Sequence, residues 1–226
     1  MTSKLSEVAG SANFIFPPNI ADIRPFLWSG FKSTIKYTYH SQFPYLPEQV
    51  DSSIRSKIKK ANSNGYYSVK TDDIEAVFHC LEGTEARQGF SHQITVRDLQ
   101  MARELLGDEA FRCYVSYSKE GEPVSSCIIL RTSAEHAFGW IAGSKSEHLT
   151  KGVVQQLQDF AFDNLSANGV KEFDFSGANI ESVSESKSYW KVELRPYYGI
   201  RLPGYKDVIR AGRDWMARNK KQKIIT

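Results

Sequence analysis

The sequence predicts an α/β fold: one unit built on a mixed β-sheet with helices on both faces. Three observations carry this. Segments of strand periodicity alternate with segments of helical periodicity along most of the 226 residues. At the centre, FRCYVSYS, PVSSCIILRT and HAFGWIAG are strand-like runs joined by turns short enough to make them antiparallel neighbours. A long amphipathic stretch, 151–167, then separates the last of these from EFDFSG, and a helical crossover of that length joins parallel strands.

Residues 1–13 are small and polar and read as a tail, 14–204 as the folded domain, and 205–226 as a basic amphipathic helix and tail. In NFIFPPNIADIRPFLWSGF, the ring-fixed φ of Pro17, Pro18 and Pro25 predicts an extended, packed segment rather than a helix. KSTIKYTYH alternates and is rich in β-branched and aromatic residues, which predicts a strand. Pro47 opens a helix that runs to about Asn62 and ends at Asn64-Gly65. YYSVK is a short strand. Asp72 or Asp73 then caps a helix whose Ile74, Val77, Phe78 and Leu81 form one apolar stripe.

Thr95 and Asp98 are spaced as a capping box, and Leu99, Ala102 and Leu106 supply the buried side of the helix they start. The long helix after the three central strands turns Val153, Val154, Leu157, Phe160, Ala161 and Leu165 to one side and stops at Asn168-Gly169. EFDFSG is a strand, a helix lies near Glu181 to Lys191, and VELRPYYGI is the last strand.

Composition excludes several classes. Hydrophobic residues at 41% and charged residues at 24% give a globular balance. A net charge of +3 is too mild to indicate nucleic acid by itself, although basic residues cluster at 55–60 and 210–223. Cys80, Cys113 and Cys127 sit far apart in apolar surroundings, without metal spacing, and read as buried thiols in a reducing compartment. No apolar run approaches the ~18 residues of a membrane span, and the first residues lack a signal-type core. Together these predict a cytoplasmic protein without a metal or a permanently bound cofactor.

Candidate site residues fall in four stretches: RSKIKKANSNGYYSV, TEARQGF, FDFSGANI and KSYWKVELRPYYGI. Arg55 and Lys59, at i and i+4, share a helix face that suits either a phosphate or solvent. Arg87 offers a planar fork to a carboxylate or phosphate, or ties a loop between two helices to carbonyls, with Gln88 beside it. Gly89 supplies a conformation other residues avoid. Asp174 is placed either to hold or deprotonate an amine, or to bond the N–H groups of the Ser176-Gly177 turn. Tyr198 is a proton donor or a packing residue. The histidines form no recognisable triad, and no role follows for them.

The order and spacing of the four stretches, over roughly 14–202, resemble the second half of the Fem peptidoglycan-bridge aminoacyltransferases and their acetyltransferase-like relatives. That family has a basic helix ending in a small residue and Gly, then T-x-x-R-Q-G, a strand ending D-F-x-G-S, and an aromatic–Lys/Arg–aromatic–Gly segment running into P-Y-Y. The resemblance implies a GNAT-like acyl-CoA N-acyltransferase fold as a single unit, where family members carry two. It implies transfer of an acyl or aminoacyl group to an amine of a cell-envelope or sugar-nucleotide-linked precursor.

In such a reaction Lys187 would stand near the reacting carbonyl, where a cation stabilises the oxyanion. Asp174 and Tyr198 would move protons, and Arg55, Lys59, Arg87, Gln88, Ser176 and Trp190 would hold the substrate. Here Ser186 and Lys191 replace the family's first aromatic and its glycine. The phosphate-cradling R/Q-x-x-G-x-G/A loop of CoA-binding members is replaced by GSKSEHLTKGVVQQ, so the donor is either acetyl-CoA or another acyl-CoA, or aminoacyl-tRNA. The single unit also allows a different reading, a non-catalytic or split module that needs a partner unit or pairs as a homodimer.

Overall fold

The computed structural model describes residues 13–89, 91–204 and 207. Thr38–Leu194 forms one compact unit; the described residues before and after it belong to a second. The expected tail and the C-terminal amphipathic helix lie outside the described residues, apart from Asn13 and Asp207.

In the smaller unit, β1 (Asn13–Ile15) pairs antiparallel with β8 (Glu193–Arg201), matching Phe14 with Ile200. Ile23, Phe31 and Ile200 form its buried cluster, with Phe14, Phe16, Phe26, Tyr198 and Leu202 against them. The segment expected to be extended holds a short helix, α1 (Arg24–Trp28). Pro25 sits in its first turn, where the missing N–H costs nothing and the fixed φ suits a helix.

The larger unit begins within β2 (Lys32–Gln42). After a 3₁₀ turn at Pro47–Gln49 come α2 (Ser52–Ser63), β3 (Tyr67–Thr71), α3 (Ile74–Gln88) and α4 (Val96–Ala110). The strands β4 (Phe111–Tyr117), β5 (Pro123–Arg131) and β6 (His136–Ser144) follow. A second 3₁₀ turn, Ser146–Lys151, leads into α5 (Val153–Ala167), then β7 (Glu172–Asp174) and α6 (Glu181–Ser188).

The strand order in this unit is β2-β7-β6-β5-β4-β3. The expected antiparallel meander is β4–β5–β6, and β6 and β7, joined by α5, are the parallel pair. Alternation along β4 and β5 feeds two cores. Tyr114, Cys127 and Ile129 meet Ile54 of α2 and Leu157, Ala161 and Phe162 of α5. Phe111, Cys113, Val115 and Ile128 meet Val77 and Leu81 of α3 and Leu99 of α4 on the other face.

Local chemistry explains the boundaries. Asp73 caps α3 by accepting from Ala76 N, and Gly89 ends it with φ of 68°. Thr95 and Asp98 make the reciprocal capping box. The helix expected to start at Pro47 is instead broken at Val50, and Asp51 caps α2 through Ser53 N. Leu106 is 50% exposed rather than inward, because Gly107 at φ 75° turns the backbone out of the helix. The long helix starts at Val153, two residues later than expected, and α6 stops at Ser188, before Lys191 at φ 53°. The three cysteines are free and buried, and burial pushes the Cys80 and Cys113 thiols up to about 12.

Candidate active site

The site is built on β7, the shortest strand of the larger unit. EFDF alternates: Phe173 and Phe175 point into the core beneath α5, so Glu172 and Asp174 point to the other face. β2 runs antiparallel beside it and places His40 directly opposite Asp174. Two residues back along the same face comes Thr38.

Asp174 is held from several directions. The Thr38 hydroxyl donates to its Oδ1, and Ser176 N donates to the same oxygen at 2.7 Å. Its other oxygen, Oδ2, lies 3.5 Å from His40 Nε2. His40 Nδ1 lies 3.1 Å from Glu172 Oε1, which also accepts from Gln42 Nε2 at 2.7 Å. His136 Nε2 approaches the second Glu172 oxygen at 3.4 Å. Burial acts to raise the Asp174 carboxyl, but His40, Thr38 and Ser176 N–H outweigh it and hold it below the usual range. Burial likewise opposes the His40 charge, and Asp174 and Glu172 together raise it all the same.

The loop after β7 is tight. Ser176 and Gly177 have φ of 54° and 99°, and Gly177 N donates to Thr38 Oγ1 at 2.9 Å. Lys187, on α6, donates to Phe175 O at 2.6 Å and Gly177 O at 2.8 Å. Burial lowers its ammonium below the ordinary lysine value, while Asp174 acts to raise it.

β6 borders this floor. Its parallel pairing with β7 covers only His136, Ala137 and Phe138. From Gly139 to Ser144, no strand among the described residues pairs with β6 on that side. At the end of the free stretch Ser144 N donates to Thr84 Oγ1 at 2.9 Å, and Arg87 Nη1 donates to Ser144 O at 2.9 Å. Close packing of α3 on β6 makes this possible, since a Cβ on Gly143 would lie 2.5 Å from Cys80 O. Past Ser144, the start of α5 is formed by Gly152 at φ 86° with no side-chain cap. A Cβ there would lie 2.2 Å from Lys57 O, so a carbonyl of α2 packs against this corner of the helix N-terminus.

The structure thus brings Asp174, Ser176 and Lys187 together. Arg87 and Gln88 are not in a loop: α3 continues through both, Arg87 reaches back to Ser144, and Gln88 is exposed. Arg55 and Lys59 are exposed on α2, away from its buried Ile54 and Ala61. Trp190 is in the core, 5% exposed, against Tyr45 and Phe162. Tyr198 packs with the aromatic cluster of the smaller unit. His40, Glu172 and Thr38 had no role in the sequence reading. Alternation predicts that Thr38 and His40 share a face, as do Glu172 and Asp174; the register that joins the pairs is not encoded locally.

Solved structures share this fold at low identity. The C-terminal domain of a protein assigned as a lysylphosphatidylglycerol synthetase from Agrobacterium fabrum superposes with a TM-score of 0.69 at 10% identity, over 92% of this chain and 73% of that one. FemX gives 0.67 at 11%, over 87% and 74%. L-PGS from Bacillus licheniformis gives 0.61 at 14%, over 81% and 65%. No curated protein matches in sequence. The acetyltransferase (GNAT) domain family matches residues 49–191, well over half the chain, and the chain belongs to that family.

Proposed function

We propose that the protein transfers an acyl or aminoacyl group to the amine of a cell-envelope or sugar-nucleotide-linked precursor. The observation that carries this is the stretch of β6 from Gly139 to Gly143, which no strand among the described residues pairs on the β7 side and which runs on past Asp174. A strand edge without a partner offers N–H and C=O groups to an extended acyl donor, as it would to an added strand. Asp174 stands at the end where the pairing with β7 stops, within reach of an amine brought to the acyl carbonyl.

In that reaction the amine lone pair forms the new C–N bond, and the thioester C–S or ester C–O bond breaks. The amine proton passes to Asp174, which returns it to the departing thiolate or alkoxide. Lys187 holds the loop that follows Asp174 by donating to Phe175 O and Gly177 O, and its third N–H, in a long 3.5 Å contact with Ser176 O, is the one that would turn to the oxyanion. Arg87 and Thr84 fix the far end of the strand edge. Arg55, Lys59 and Gln88 offer exposed donors to anionic parts of a substrate. Trp190 is a support beneath the floor.

Domains of this family use acyl-CoA as cosubstrate. The Lys57 carbonyl against Gly152 suits the diphosphate of CoA poorly, because it puts an acceptor where an anion needs donors. FemX and L-PGS share the fold, and the second donor to test is therefore an aminoacyl-tRNA. The test is product formation from each donor with UDP-linked peptide precursors, read by mass. Product from one donor, lost in Asp174→Asn, supports the reading; equal turnover by Asp174→Asn overturns it.

The engagement of Lys187 with loop carbonyls favours a second reading, a binding module or one half of a split enzyme. That reading predicts binding of the precursor without product until a partner unit, or a second copy of the chain, is added.

A further inference from the structure

We infer that His40 is a positioning residue for amine transfer: it bridges Glu172 and Asp174 and keeps Asp174 Oδ2 turned to receive a cationic amine acceptor. The inference rests on the reading of Asp174 as the acceptor-side acid and goes beyond it by naming the group behind it and the charge of the acceptor.

The geometry divides the two oxygens of Asp174. Oδ1 is taken by the Thr38 hydroxyl and Ser176 N–H. Oδ2 meets His40 Nε2 at 3.5 Å, a long contact that leaves room for a shorter partner. The Asp174 side chain is 26% exposed, whereas that of His40 is 9% exposed. A substrate therefore reaches the carboxylate, and the imidazole stands one layer deeper. On its other side Nδ1 sits against Glu172, which Gln42 and His136 hold in turn. An imidazole that faces a carboxylate charge from each nitrogen is favoured as the cation.

Glu172 and Asp174 come from β7, His136 from β6, and Thr38 and Gln42 add neutral donors from β2. Lys187 acts on Asp174 from α6, but its ammonium donates to the carbonyls of Phe175 and Gly177. The partly exposed Asp174 carboxylate accepts hydrogen bonds, which suits an ammonium better than an anionic acceptor. The bound ammonium first gives one proton to solvent and so frees its lone pair; as the tetrahedral adduct forms, its nitrogen passes a second proton to Asp174 Oδ2, which returns it to the departing thiolate or alkoxide, and His40 faces that oxygen through Nε2 at 3.5 Å.

The test labels the histidine rings with ¹³C and follows the His40 resonance, assigned by its loss in His40→Gln. In the wild type, n-butylammonium chloride shifts this resonance saturably and sodium chloride does not. In Asp174→Asn the resonance moves from its wild-type position and the amine response is lost. An unmoved His40 resonance in Asp174→Asn, or an amine response that survives there, overturns the proposal.

With an active donor and acceptor, His40→Gln raises the KM for the amine at least about tenfold and moves the acidic limb of the pH profile upward, with kcat changed less. An unchanged KM and pH profile overturns the proposal while leaving transfer itself intact. Absence of transfer with every donor, beside a wild-type His40 response to the amine, removes the proposed activity and leaves this amine site standing. Thermal midpoints of both variants report whether each is folded.

Discussion

Lys187 donates its ammonium to the carbonyl oxygen of Phe175 at 2.6 Å, and that bond closes the loop on which the candidate site depends. A second bond, to Gly177 O at 2.8 Å, spans the left-handed turn at Ser176. A non-glycine residue in that region is costly, so something must hold it.

Lys187→Met is therefore expected to lower stability by about 1–2 kcal/mol, because two carbonyls lose their donor. Lys187→Arg should recover part of this. Urea denaturation measures the stability change, and turnover is read beside it. A purely electrostatic role at the oxyanion makes a different forecast: kcat falls in Lys187→Met while the denaturation midpoint stays put. The two outcomes separate a clamp from a catalytic cation.

Gly152 tests the junction of α2 and α5. At φ 86°, with Lys57 O 2.2 Å from the place of a Cβ, alanine meets both backbone strain and a collision with main chain. Gly152→Ala is expected to cost about 3 kcal/mol or more. Gly169 has a similar φ of 82° but open space around it, so Gly169→Ala should cost only about 1 kcal/mol. Thermal denaturation of the pair provides the comparison. Equal losses would mean that the contact with Lys57 is relieved at little cost.

Much of the fold was legible because it rests on local signals. The Thr95–Asp98 box, the Asp73 cap, Gly89 and Gly169 each mark a boundary that depends on a few neighbouring residues. The parallel β6–β7 pair followed from the crossover length of α5. Failures came where one residue type serves two purposes. Pro25 reads as a helix breaker yet occupies a helix's first turn. Phe162 falls outside the apolar stripe read for α5 yet is wholly buried, ringed by Phe43, Tyr45, Phe173, Phe175 and Trp190.

At the candidate site, the motifs around β7 and α6 point to Asp174, Ser176 and Lys187, which lie together. His40 lies 134 positions before Asp174 and meets it only through strand register, which a single sequence does not specify.

Trp190 belongs to that aromatic core, and its substitution should act on stability first. Trp190→Ala is expected to cost about 3–5 kcal/mol, and Trp190→Phe considerably less. Chemical denaturation of both, with substrate KM measured for the phenylalanine variant, separates packing from binding. A Trp190→Phe variant that is as stable as wild type but with KM raised tenfold or more would make Trp190 a substrate residue after all.

The pH dependence of stability gives the last test, since Asp174 and His40 are shifted in opposite senses. Asp174 is held below its unfolded pKa of about 3.9, so its contribution is present above that value and lost as pH falls through the folded pKa. His40 is raised above its unfolded pKa of about 6.5, so its contribution is complete below that value and lost as pH rises through the folded pKa. Asp174→Asn should therefore flatten the acidic limb of the stability curve and also weaken the His40 limb. His40→Gln should remove the decline above about pH 6.5 and steepen nothing. Urea midpoints across the range, wild type minus variant, isolate each group from the other titrating residues. A His40→Gln difference that stays constant across the upper limb would mean that the imidazole is not charged between its two carboxylates.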